Sequence, residues 1–152
     1  MSDLDDLLRP TITNAVQRPL PWRVSSQFWV AFFGGVPAVT AIAFLNAGRL
    51  GVDVVKRRWI VVAGIVGFIV TIALMAWIGV AKEHRSTTRI VVRVVAVLLY
   101  FVLARLQRED DGRHQVFGPG QYASLWGAGI VATLLSFILT VAVGAVTVSA
   151  LR

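Results

Sequence analysis

Apolar residues gather along this chain in four blocks, separated by short polar stretches that are mostly basic. The blocks run from about Phe28 to Asn46, Trp59 to Ala81, Ile90 to Leu106 and Tyr122 to Leu151. Each approaches the ~20 residues that a helix rising about 1.5 Å per residue needs to cross about 30 Å of hydrocarbon. The pattern predicts an all-α integral membrane bundle of four transmembrane helices over residues 28–151, behind a polar tail over residues 1–27. In that tail Ser2 with Asp5 predicts a capped short helix that Pro10 ends.

Within the blocks a few residues interrupt the apolar pattern. The first holds Gly34, Gly35 and Pro37, and a proline there removes a backbone hydrogen bond, so Pro37 predicts a bent, closely packed helix. The second, broken only by small residues and Thr71, predicts the plainest crossing. Ser86 to Thr88 supply N-cap side chains for the third, which carries Arg93 inside and Arg105 at its end. Asp110-Asp111-Gly112 is expected to stop that helix, and Gly118-Pro119-Gly120 to turn the chain. The fourth block is longer than lipid requires, which predicts tilt or an interfacial first turn. Trp22, Trp29, Trp59, Trp77 and Trp126 fall at or near block ends, as interfacial indoles do.

Composition agrees with this reading. Hydrophobic residues make up 57% of the 152 residues, and the mean hydropathy is +0.74, well above soluble domains. The formal net charge is +7, with the basic residues bordering the apolar blocks, where lipid phosphates reach. The expected partner is therefore a bilayer with anionic headgroups, and no nucleic acid is expected. Cysteine is absent, which excludes disulfides, thiolate metal sites and cysteine nucleophiles. Neither a signal peptide nor a myristoylation signal is expected. Four crossings place both termini on one side with eight Lys and Arg against seven, so orientation stays open.

Candidate chemistry is sparse. Arg93 is the one charge inside a block, about one turn from its start, and reads either as snorkelling to headgroups or as a gating or ligand residue, with Tyr100 on the same face. In the fourth block Gly129, Thr133, Ser136, Thr140, Gly144 and Thr147 recur at helical spacing as one small and polar stripe. Such a stripe is expected to be a packing seam, with a pore or substrate lining as the other reading. Ala63, Gly67 and Thr71 form a shorter row of the same kind. His84 and His114 lack a second ligand at metal spacing, and no cofactor or metal is expected. No carboxylate lies within a block, which argues against a proton-coupled exporter that loads protons on a buried acid.

Gly34-Gly35-Val36-Pro37, then Asn46, then Leu50-Gly51 is similar to a pattern, GG(x)P…N…LG, in small uncharacterised four-span bacterial membrane proteins. That resemblance implies a bacterial source and carries no activity with it. The expected role is a non-enzymatic, self-associating or accessory subunit of the cytoplasmic membrane. The alternative is a small oligomeric channel or transporter, and an intramembrane enzyme is the least expected class.

Overall fold

The computed structural model describes residues 19–80, 85–117 and 120–150. The cap expected at Ser2, the turns at Gly118-Pro119 and His84 lie outside them, and the side chains of Ser86 to Thr88 are not described. The fold is an all-α bundle: a short 3₁₀ turn, Val24–Ser26, precedes α1 (Gln27–Leu50), α2 (Val54–Val80), α3 (Arg85–Phe117) and α4 (Trp126–Ala150). By length and composition all four helices can cross a membrane, and the protein is a multi-pass membrane protein.

The first helix is not straight. Gly35 adopts φ 72°, ψ −166° inside it, a conformation that residues with a Cβ rarely take and glycine takes freely. A straight helix would hold Gln27 and Asn46 about 28 Å apart. Instead their amide nitrogens share one acceptor, Gln107 Oε1, at 3.5 and 3.1 Å. The helix therefore doubles back as a hairpin, with arms over residues 27–34 and 36–50. Pro37 was expected to cause a bend, but the reversal belongs to Gly35. Pro37 sits in the first turn of the second arm, where its missing N–H has no helical partner to lose.

Neighbouring helices fix the depth of the hairpin. Ser136 Oγ donates to Gly34 O at 2.5 Å, and Ser136 lies about 15 Å along α4, with more than half of that helix still beyond. Thr40 packs on Gly64, and both Val36 and Leu99 approach Gly67, midway along α2. The tip thus reaches the middle of the bundle, and both arms open at the same end. The chain enters and leaves α1 at that end, then runs the full length of the bundle three times. This replaces the partition of charge drawn for four consecutive crossings, because α1 begins at one end of the bundle and α4 finishes at the other.

Two element ends differ from expectation. Helix α3 runs through Asp110-Asp111-Gly112 to Phe117, because each acid there has a partner: Lys56 Nζ lies 3.1 Å from Glu109 and 3.2 Å from Asp110, and Tyr122 OH donates to Asp111 at 3.0 Å. Arg113 adds an i,i+4 pair with Glu109. The fourth helix begins at Trp126, four residues later than expected, because Ala123 N donates to Pro21 O and holds that stretch extended. Trp22 departs from the interfacial pattern too. It is buried, with the Arg49 guanidinium 3.7 Å from its ring centroid, while Trp29, Trp59, Trp77 and Trp126 stay exposed.

The fold-back has a direct check, since a chain without cysteine accepts single reporter cysteines cleanly. Cysteines at Ser25, Asp53 and Gly120 are expected to react with a membrane-impermeant maleimide from one side, and one at Arg89 from the other. Ser25 and Asp53 labelling from opposite sides would show α1 to be an ordinary crossing.

Candidate functional site

Three amide side chains meet where the hairpin opens: Gln27 at the start of α1, Asn46 near its end and Gln107 on α3. All three are 0% exposed. Asn46 Oδ1 accepts the Trp22 N–H at 2.7 Å while its Nδ2 donates to Gln107 Oε1. Gln107 Nε2 points to Leu103 O at 3.5 Å within its own helix. Ala43 and Ala47, within a turn of Asn46, and Leu103, one turn from Gln107, belong to the buried apolar core, so the cluster is a polar knot in apolar surroundings.

The knot is unevenly satisfied. Asn46 is engaged at both ends of its amide, whereas Gln27 donates across a long 3.5 Å contact and its Oε1 has no hydrogen-bond partner. A buried polar atom without a partner costs about 1–3 kcal/mol. Two arginines from the end of α1 and the start of α2 make uncharged contacts nearby. Arg49 Nη1 donates to Leu20 O at 2.9 Å, and the Arg57 guanidinium lies over the Phe44 ring at 4.7 Å. Burial raises the Tyr122 phenol above its ordinary pKa.

The residues singled out by sequence fall at four places around the hairpin. Asn46 is the centre of the knot, and Pro37 opens the second arm. Gly129, Thr133 and Ser136 line the contact between α4 and the first arm. A Cβ at Gly129 would stand 3.2 Å from Val30, and Thr133 lies against Gly34. Thr140 Oγ1 turns to its own helix and donates to Ser136 O at 2.8 Å. The side chains of Gly144 and Thr147 are not among those described. On the other flank Tyr100 meets Phe28 edge-on at 5.7 Å. The Arg93 guanidinium lies 5.3 Å from the centroid of Phe32, close to the hairpin tip, and Arg93 remains exposed. Arg93 and Tyr100 thus contact the aromatic first arm rather than each other.

Gln27 and Gln107 were not singled out. One fell in the polar tail and the other in the polar stretch after Leu106, and neither carries a charge. The available signal was an uncharged amide at both edges of the first apolar block and at the end of the third. His114 lies in α3 rather than in a loop, with Nε2 3.1 Å from Gln121 O, and no metal-holding group occurs among the described residues.

No family model, curated protein or solved structure matches this chain. The residues of the GG(x)P…N…LG pattern nevertheless have individual tasks here. Gly35 reverses the helix, Pro37 starts the second arm, Asn46 ties the knot, and Gly51 ends α1 at φ 73° with its N–H on Ala47 O.

The uneven satisfaction yields opposite expectations for two neighbours. Asn46→Leu strands the Trp22 N–H and removes a donor from Gln107, so it is expected to lower the unfolding free energy by about 1–3 kcal/mol. Gln27→Leu removes an orphaned oxygen and one long contact, and is expected to change it by under about 1 kcal/mol or to stabilise. Denaturant unfolding in detergent, followed by helical circular dichroism, measures both, and equal losses would contradict the geometry.

Proposed function

We propose that this protein is a non-enzymatic component of a bacterial cytoplasmic membrane, a bundle that associates with copies of itself or with subunits of a larger membrane complex. The observation that carries the reading is the state of α4. Among the described residues its substantial helix contacts are with α1 alone. Beside the seam it presents Ile130, Leu134, Phe137 and Val141, all more than half exposed, at spacings of four, three and four. That is the spacing of a helix face that receives another helix. The buried polar set among the described residues supports the same reading: the amides of Gln27, Asn46 and Gln107 are tied to one another and to backbone, the hydroxyls of Thr71 and Ser136 donate to backbone carbonyls, and no carboxylate, amine or guanidinium is among them.

The charge distribution supports an orientation. Among described residues, Arg23, Arg49, Lys56, Arg57, Arg58, Arg105, Arg108 and Arg113 lie toward the end where the hairpin opens, while Arg85, Arg89 and Arg93 lie in the other half. Eight against three favours an open end in the cytoplasm. One observation favours the second reading, a small oligomeric channel or transporter: the break at Gly35 falls at mid-depth, and interrupted helices build ion and substrate sites there.

Two measurements separate the readings. Light scattering of the detergent-solubilised protein is expected to give a particle larger than one 16.5 kDa chain, reduced by Leu134→Ala with Phe137→Ala. Reconstituted bilayers are expected to show no single-channel conductance. A monomer that purifies without companions overturns the first reading, and conductance altered by Gly35→Ala establishes the second.

A further inference from the structure

The cytoplasm-proposed end of the bundle carries a groove of about 570 Å³ between the 3₁₀ turn and α3. Val24, Phe101, Val102 and Ala104 give its lining an apolar wall, beside Ser25 and Tyr100. Farther along α3, toward the end of that helix, Arg105, Arg108 and Asp111 supply the charged part of the lining, its mouth. We propose that this groove is a binding site for one anionic phospholipid, with an acyl chain along Phe101 and Val102 and the phosphate held by Arg105 and Arg108.

Polarity along α3 gives the direction. From Phe101 to Arg108 the helix climbs about 10 Å, from side chains that are more than half exposed and wholly apolar to guanidiniums at the bundle end. A phospholipid has the same profile, hydrocarbon inward and charge outward. Arg105 and Arg108 are three residues apart, hence on one face of the helix, and both are exposed. A pair of guanidiniums presents planar forks of N–H donors that fit phosphate oxygens.

The surrounding charges leave these two arginines available. Glu109 pairs with Lys56 and Arg113, Asp110 pairs with Lys56, and Asp111 accepts the Tyr122 hydroxyl. Among the described residues no carboxylate forms an ion pair with Arg105 or Arg108. Asp111 still contributes one negative charge to the lining, so the mouth carries a net charge of one positive unit. That balance favours a lipid whose only headgroup charge is the phosphate over one that adds a choline ammonium. Free phosphate would satisfy the arginines and leave the apolar wall uncovered, so the site commits to the lipid.

The test uses the full chain in nanodiscs and native mass spectrometry after transfer to detergent, with phosphatidylglycerol and phosphatidylcholine of matched chains as probes. The wild type is expected to retain one phosphatidylglycerol in preference to phosphatidylcholine. Arg105→Gln and Arg108→Gln are each expected to cut that preference about fivefold, equivalent to about 1 kcal/mol at about 1.4 kcal/mol per tenfold. Arg58→Gln and Arg113→Gln, basic residues at the same end but outside the groove, are expected to leave it unchanged. Equal losses for all four variants would show general surface charge and overturn the site, as would displacement of the lipid by millimolar inorganic phosphate. The emission that Val102→Trp adds to that of the five native tryptophans, quenched more strongly by brominated phosphatidylglycerol than by brominated phosphatidylcholine, checks the acyl position in a chain that keeps both arginines. Equal quenching by the two lipids would also overturn the site.

Discussion

A polar group buried in an apolar surround must find a partner within the protein, and the bundle is arranged around meeting that demand at Gln107. Its side-chain oxygen receives two amides from opposite ends of one helix, which is possible only if that helix returns on itself. Asn46 makes the stronger of the two contacts and passes the tie on to the Trp22 N–H, so the second arm, the chain before the first and α3 are held together at one point. In hydrocarbon the alternative for each of these groups is an empty hydrogen-bonding site, which is costlier than the strain of a reversal.

The reversal itself is made inexpensive by where glycine and proline fall. Gly35 takes the positive φ, and a Cβ there would meet nothing within 4 Å, so its identity is a matter of backbone freedom rather than space. Gly34, one residue earlier, is needed for the opposite reason: a Cβ would press on Ala38 and on Thr133 of α4. Its carbonyl, freed by the break, is taken by Ser136. Two adjacent glycines thus serve conformation and close approach separately, and the hydroxyl on α4 completes the backbone's account.

Sequence made the helices legible and left the hairpin hidden. Hydropathy records how much apolar length a segment has, and residues 24–50 have a mean hydropathy of 2.0 over their best window whether they cross or return. Gly35 and Pro37 marked a distortion without its angle. The seam of Gly129, Thr133 and Ser136 was readable because small residues at helical spacing imply close approach whatever the partner. The knot was not, because an amide has no charge to stand out from a polar border, and its partners lie 61 and 80 residues away. Helix α3 outran its expected end for a related reason: Asp110-Asp111-Gly112 is a stop signal locally, and partners on α2 and after the turn outweigh it.

These separations also set an order of events during synthesis. The first helix leaves the ribosome before any residue that completes it exists: Gln107 follows Asn46 by 61 residues, and Ser136 follows Gly34 by 102. Until α3 arrives, the Gln27 and Asn46 amides have no side chain to receive them, and until α4 arrives the Gly34 carbonyl is bare. The full set of bonds that holds the first helix can therefore close only after the last helix has been made. Of the four helices, the first in chain order is the last to be completed.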